Sequence, residues 1–338
     1  MLVEIQRNIF LKDFNTFRVQ SSATQFIDIQ DEKKLIDLFK AGIFKDRFFV
    51  IGGGSNILFT KNFDGTIIKI SNKGIQHFIE GSNIFLTAAA GEVWNDFVWY
   101  AVNHDFPGLE NMALIPGTVG ASPIQNIGAY GTELMDVMYT CRAFDTLTGE
   151  FKTFSNHDCG FSYRDSIFKS KYKGRYIIVS VTYKLNLHTK RNTSYGAIEL
   201  ELTKRNIQTP SIKDVAEVVS FIRVEKLPDP SMIGNAGSFF KNPIISNSQL
   251  ESLKQLFPTI ISYTIDEQCS KVAAGWLIEQ CGWKGKEIGE VAIWKNQALV
   301  ITNKGNATGK EIFQISQEII DSVLKKFGIE LEREVNIL

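Results

Sequence analysis

Histidine, cysteine and proline are all sparse in this sequence of 338 residues. Its four cysteines, Cys141, Cys159, Cys269 and Cys281, lie far apart and form no C-x-x-C pair. That pattern signals neither a zinc site nor a redox dithiol. So few cysteines in a long chain point to reduced thiols in a cytoplasmic setting, not to a disulfide scaffold. The four histidines, His77, His104, His157 and His188, show no metal-ligand spacing, so a metal-dependent or His-based mechanism has no support. With 8 prolines the chain is not a proline-rich scaffold. Neither sign of charge predominates, since Lys+Arg and Asp+Glu both count 37. A general phosphate-backbone binder is therefore excluded, although a local basic pocket is not. The longest apolar runs are a handful of residues, as in Phe48–Ile51, too short to cross a bilayer. The opening MLVEIQRNIF lacks the basic start and apolar run of a signal peptide. The expectation is a cytoplasmic protein that binds neither nucleic acid nor membrane and needs no metal.

What is present is ordinary globular material: 44% apolar residues, with 25 phenylalanines among them. The length predicts two domains or three small ones. Gln25–Ile29, Phe48–Ile51 and Thr66–Ile70 read as short strands. Asp31–Ala41 carries a helical stripe at Leu35, Leu38 and Phe39, with Asp31 as N-cap. Asp64-Gly65 reads as a turn. The middle of the chain is mostly β, with strands at Ile84–Ala89, Met138–Leu147, Phe151–Phe154 and Tyr176–Leu187 and a hairpin turn at Thr148-Gly149. A helix over Val93–Val102 interrupts it. Helices are expected at Ile212–Glu225, Ser248–Phe257, Lys271–Gln280 and Gly309–Phe327, the last closed by Gly328. The prolines of Leu227-Pro228-Asp229-Pro230 mark a boundary. The tail Ile329–Leu338 alternates like a strand. The pattern is mixed α+β, without sustained βαβ alternation.

Two glycine-rich segments stand out. Gly52-Gly53-Gly54-Ser55-Asn56 follows a buried strand, and its glycines let the backbone turn tightly and offer N–H groups to an anion. The dinucleotide fingerprint needs a glycine at position 57, which is Ile57, and no Gly-Lys-Ser/Thr occurs. Taken alone, a plain strand connection is the better reading of this loop. The second segment, Ile115–Gly131, has an uncharged interior with glycines, two amides and an aromatic. Such a stretch admits close backbone approach to a large planar ligand, with amides for its polar edge. Together the two loops favour a buried dinucleotide.

Both loops fall within an ordered set of motifs. They are Asn15-Thr16-Phe17, Gly52–Asn56, Pro107-Gly108-Leu109-Glu110, Ile115–Gly131, Tyr163-Arg164-Asp165-Ser166, Lys226–Pro230, Gly234–Pro243, Ala273–Ile278 and Leu331–Val335. In this order, over nearly the whole chain, they resemble the UDP-N-acetylenolpyruvoylglucosamine reductase (UDP-N-acetylmuramate dehydrogenase) family. Ser194-Tyr195-Gly196 resembles its longer form, which has a tyrosine loop over the substrate. The sequence ends four residues after Glu334, short of the family's usual tail.

The resemblance implies an α+β, vanillyl-alcohol-oxidase-like (PCMH-type) FAD-binding fold of two subdomains plus a C-terminal α+β substrate domain. Residues 1–70, with 328–338 returning to them, would form the first FAD subdomain and 71–223 the second. Residues 224–327 would bind the UDP-sugar. Gly52, Gly53, Gly54, Ser55 and Asn56, with Gly117, Gly120, Ala121, Ser122, Ile124, Gln125, Asn126 and Gly128, would line the FAD. Arg164, Ser238 and Glu334 would be catalytic. Tyr130, Tyr195, Lys226, Asn242, Tyr263, Lys271 and Gln297 would contact substrate. NADPH would pass hydride to FAD. After it leaves the shared pocket, flavin N5 would deliver hydride to C3 of the enolpyruvyl group of UDP-N-acetylenolpyruvoylglucosamine, and Ser238 a proton to C2. The product is UDP-N-acetylmuramate for peptidoglycan. A monomer with no required protein partner is implied.

Each residue type suits its implied task. Arg164 offers a planar donor fork to a carboxylate, against a surface pair with Asp165. Glu334 would keep or share a proton near a second carboxylate, against an exposed charge in an acidic tail. Ser238 is a weak acid that needs an enolate as its partner, against a turn-capping serine. Lys226 would meet a diphosphate, against a helix-end lysine. Two rivals stay open: an oxygen-using flavin oxidase of the same fold, and a colourless nucleotide-sugar binder.

Overall fold

The computed structural model describes residues 4–338. The first three positions of the 1–70 expectation therefore lie outside the described residues. The chain forms two compact units. Among the described residues, the first comprises 4–9, 23–53 and 63–224, and the second 10–22, 54–62 and 225–338.

The first unit carries two sheets. In one, the strands lie in the order Gln6–Phe10, Ser22–Ile29, Phe63–Ile70, Phe48–Ile51. Phe63–Ile70 runs parallel to both of its neighbours, with Phe26 and Phe49 flanking Ile67. Parallel strands are covered on both faces and read as unbroken apolar runs, and Phe26, Ile27, Ile67 and Ile68 are all buried. The helix Lys34–Lys40 turns Leu35 and Leu38 onto this layer.

The other sheet is antiparallel, in the order Phe151–Ser155, Met138–Asp145, Tyr176–Asn186, Asn83–Ala89, Ile75–Glu80. Alternation in Asn83–Ala89 sends Ile84, Leu86 and Ala88 inward. They meet Trp94, Phe97 and Val98 of the helix Trp94–Asn103, and Val215, Val218 and Val219 of the helix Ile212–Lys226. Each buried Ile, Leu, Val or Phe among them contributes about 1.5–3 kcal/mol.

In the second unit the strands Gly234–Ser238, Val300–Asn303, Val291–Ile293 and Glu287–Ile288 form one sheet. It packs on the apolar stripe Ile312, Ile315, Ile319, Val323 of the helix Gly309–Phe327. A capping box of Thr308 and Glu311 starts that helix, and Gly328, at φ 66°, ends it. Ile244–Ser246, Cys269–Val272 and Ser262–Thr264 form a smaller antiparallel sheet.

Several expectations need correction. Asp31 does not cap the helix, which begins at Lys34; its carboxylate instead accepts the Lys33 N–H (3.0 Å) in the preceding turn. Asp64-Gly65 is not a turn but part of the strand Phe63–Ile70. There Gly65 admits the Arg47 carbonyl, which accepts the Thr66 N–H at 2.9 Å. Lys271 and Val272 are strand, because they sit in the ladder opposite Ile244, Ser262 and Tyr263, and the helix starts only at Ala274. The tail is not one strand. Arg333 bridges Phe240, and only Asn336–Ile337 pairs as a strand, parallel to Ile57–Leu58. The helix Gly196–Lys204 and the edge strand Ile75–Glu80 are not evident in the sequence.

Candidate active site

In the first unit the two glycine-rich loops come together. A Cβ on Gly53 would stand 3.3 Å from Cα of Gly117, and one on Gly52 would collide with Thr118. Glycine lets the backbone of Gly53 approach that of Gly117 and makes room at position 52 for the Thr118 side chain. The core holds the second loop in place. Trp94 donates its backbone N–H to Gly117 O (3.0 Å) and its indole N–H to Met112 O (2.9 Å). Gly120 N–H bonds Ala90 O at 2.9 Å. The Ser122 hydroxyl is buried on Val119 O (2.6 Å) and the Tyr183 hydroxyl (3.1 Å). Burial holds the Tyr183 phenol protonated, well above its ordinary value. Ser122 thus anchors the loop from beneath. Ala121 is exposed, and Gly117, Gly120, Ile124, Gln125 and Gly128 are partly so.

Asn126 is fully buried and saturated. Its amide nitrogen donates to Glu133 (2.8 Å) and Ser162 O (3.1 Å), and its oxygen accepts the Met135 N–H (2.9 Å). This amide ties the flavin-loop candidate to the turn bearing Arg164. Tyr163-Arg164 span a bridge between Ser162 and Asp165, with Arg164 at φ 55°. Its guanidinium donates to Gly128 O (2.7 Å) and Asn126 O (3.2 Å). Lys169 donates to Arg164 O (3.2 Å) and Gln125 (3.4 Å). The two carbonyls orient the fork.

Tyr130, at φ 49°, and Gly131, at φ 80°, make the turn between the short strands Gly128–Ala129 and Thr132–Glu133. The Tyr195 ring stands edge-on to Tyr130 at 5.2 Å. Burial raises the Tyr130 phenol above its usual range, Arg223 opposes the rise and Tyr195 adds to it. Desolvation lowers the Arg223 guanidinium from its ordinary value; Tyr130 opposes this, and the like charge of Arg164 adds to it. Arg223, bonded to Leu114 O (3.2 Å), is thus a second cation beside Arg164 and Tyr130. In the sequence it is an ordinary residue of the helix Ile212–Lys226. The available signal was its place one turn before Lys226 on the same helix.

In the second unit Gly54, at φ 64°, lies against Phe14 and Asn15, where any Cβ would clash. Asn56 donates to Glu334 O (3.3 Å), and Asn56 O accepts the Asn336 N–H (3.0 Å). Ser55 is half-buried beside it. Ser238 ends the strand Gly234–Ser238, opposite Val300, after a bulge in which Gly237, at φ 67°, donates its N–H to the Asn235 side chain (2.9 Å). Glu334 N–H bonds Phe239 O at 2.8 Å, and Phe240 bridges Arg333. Ser238 therefore ends a strand whose continuation is bonded to the tail segment that carries Glu334. Arg164 belongs to the other unit.

Tyr263 and Lys271 face each other across a strand pair. Asn242 accepts the Ala274 N–H (2.9 Å). The Gln297 amide lies against Gly275 and accepts the Leu299 N–H at 3.3 Å. Its neighbour Asn296 donates to Glu225 O (2.9 Å), next to the exposed Lys226.

Residues 24–155 match the model of an FAD binding domain, and residues 229–338 that of the UDP-N-acetylenolpyruvoylglucosamine reductase C-terminal domain. A UDP-N-acetylenolpyruvoylglucosamine reductase of Flavobacterium johnsoniae is 48% identical over 338 residues, covering 99% of this chain and 100% of that one. The chain belongs to the UDP-N-acetylenolpyruvoylglucosamine reductase family. A relative of the same name from Amoebophilus asiaticus is 44% identical over the same shares of both chains. The crystal structure of the Thermus caldophilus reductase superposes with a TM-score of 0.67 at 21% identity, covering 99% of each chain, and shows the same fold. The chain is thus an FAD-dependent oxidoreductase with the vanillyl-alcohol-oxidase-like α+β fold. Its two glycine-rich loops, apposed at Gly53 and Gly117 and leaving Gly117, Gly120, Ala121 and Gly128 accessible, fit such a cofactor. Among the described residues there is no cluster of three metal-ligating side chains, and no helix is long and apolar enough to cross a membrane.

Proposed function

We propose that this chain converts UDP-N-acetylenolpyruvoylglucosamine to UDP-N-acetylmuramate with NADPH, as a cytoplasmic monomer supplying peptidoglycan precursors. The 2.8 Å backbone bond from Glu334 N–H to Phe239 O carries this reading, because it sets the segment bearing Glu334 against the residue that follows Ser238 in a chain of this family. Bound FAD would supply the two-electron chemistry by which hydride from NADPH reaches C3 of the enolpyruvyl group. Gly52–Asn56 and the exposed stretch of Gly117–Gly128 hold it.

Arg164, already aimed by two carbonyls, grips the substrate carboxylate and stabilises the charge that develops when C3 gains hydride. Arg223 adds positive potential there. Ser238 protonates C2, so hydride and proton together saturate the double bond, and Glu334 steadies that proton. Tyr130 and Tyr195 pack on the sugar nucleotide, Lys226 neutralises its diphosphate, and Asn242, Tyr263, Lys271 and Gln297 fix its remaining polar groups. We read residues 1–70 with 328–338 and residues 71–223 as the FAD subdomains, and 224–327 as the substrate domain. NADPH and substrate take turns in one pocket.

Anaerobic NADPH should bleach the yellow protein, and the enolpyruvyl sugar nucleotide should restore the colour. A colourless protein, or a reduced flavin that reoxidises only with oxygen, would overturn the reading.

A further inference from the structure

A cavity of about 510 Å³ opens on the first unit beside the Tyr130 turn. It is lined by Lys190, Arg191, Thr193, Thr209, Pro210 and Ser211: two cations, three hydroxyls and no acid. Among the described residues neither cation forms an ion pair. The one carboxylate bonded to the lining, Asp214, is taken up by the Ser211 N–H (2.8 Å) and hydroxyl (2.6 Å). A point charge, a donor fork and threonine hydroxyls around one space match a phosphomonoester, whose oxygens accept several bonds at once. The cavity is an open groove with Lys190, Arg191, Thr209 and Ser211 exposed, and its volume exceeds that of a lone phosphate.

The cavity is tied to the candidate active site. Asn192, between Arg191 and Thr193, donates to Gly131 O (3.0 Å), and its own carbonyl accepts from Asn111 (2.8 Å). Asn111 also bonds Tyr130 O at 3.0 Å. One amide-linked scaffold thus sets both the Tyr130 turn and the cavity wall.

We infer that this cavity receives the 2′-phosphate of NADPH and is the device that distinguishes NADPH from NADH. The inference rests on the reading of NADPH as reductant. The other phosphate-bearing substrate, the UDP-sugar, has its diphosphate contact assigned to Lys226 and most of its remaining contacts to the second unit. The 2′-phosphate has no other assigned partner.

The test uses the full-length, flavin-loaded protein and the double variant Lys190→Ala/Arg191→Ala, with Lys190→Arg/Arg191→Lys as the charge-keeping control. The Ala pair should raise the KM for NADPH about tenfold or more, as expected for loss of two charge-assisted contacts. KM values for NADH and for the UDP-sugar should not move, and the control should stay near wild type. Titration calorimetry with adenosine 2′,5′-bisphosphate and with adenosine 5′-monophosphate reads the cavity without any flavin chemistry. The bisphosphate should bind more tightly, and the Ala pair should abolish the difference. Equal KM changes for both dinucleotides, no change, or a raised KM for the UDP-sugar alone would overturn the assignment. If neither dinucleotide reduces the flavin while the calorimetric difference persists, the proposed reductant fails and the phosphate cavity stands.

Discussion

The two units hold their candidate catalytic groups by different means. In the first, Leu114, Asn126, Tyr130 and Arg164 all take positive φ, a conformation that costs a side-chain-bearing residue on the order of 1 kcal/mol or more. In the second, Ser238, Tyr263 and Lys271 sit in strand ladders, and the left-handed positions at the site fall to Gly54 and Gly237. The first unit aims donors from strained turns held by buried amides and carbonyls. The second uses a regular sheet, which tolerates change outside the side chain that acts. Damage to a support should therefore cost more in the first unit than in the second.

Arg164→Ala should have the largest effect, lowering kcat by about 10²–10³ through loss of charge stabilisation. Arg164→Lys should recover little, since an ammonium cannot span the Asn126 and Gly128 carbonyls as a planar fork does. Steady-state kinetics of both variants decides this, and near-wild-type activity of the lysine variant would remove the fork from the account. Asn126→Ala should come next. It strands the Met135 N–H and frees the Arg164 turn, lowering stability by about 2–3 kcal/mol in denaturant melts. A loss no greater than that of a surface amide would contradict the support role.

Lys226→Ala should raise the KM for the UDP-sugar about tenfold with little change in kcat. Its exposed, helix-end position leaves the fold untouched. The smallest effect concerns acid. Burial raises the Asp145 carboxyl, but its bonds to Arg175 (2.7 and 3.0 Å) and the Leu147 N–H outweigh that and hold it below the ordinary 3.8. The pair's stability is therefore complete above that value and lost as pH falls through the lower, folded value. Asp145→Asn should flatten the acid limb below about pH 4 by ~1 kcal/mol. An unchanged acid limb would show that the pair adds nothing.

This contrast also explains what the sequence makes legible. The core strands of both units show as apolar runs, and the helix Gly309–Phe327 shows its stripe, its capping box and its closing glycine. Regular elements with one buried face write their period into the chain. Lys271-Val272 carries no distinct strand signal, because short apolar alternation is ambiguous until a partner strand is known. The strained turns are harder still. Nothing in Tyr163-Arg164 announces a left-handed arginine, and only its motif context pointed to it. Arg223 meets Leu114 through the fold, and the basic cavity forms between two separate segments, 190–193 and 209–211, so no local pattern records them.

The central claim is that Ser238 acts only in the half-reaction that consumes substrate. It is tested most directly by anaerobic stopped-flow absorbance on Ser238→Ala. Reduction of the flavin by NADPH should keep its wild-type rate, while reoxidation by the enolpyruvyl UDP-sugar should slow by about 10²–10⁴. Equal slowing of both phases, or reoxidation at the wild-type rate, would contradict it.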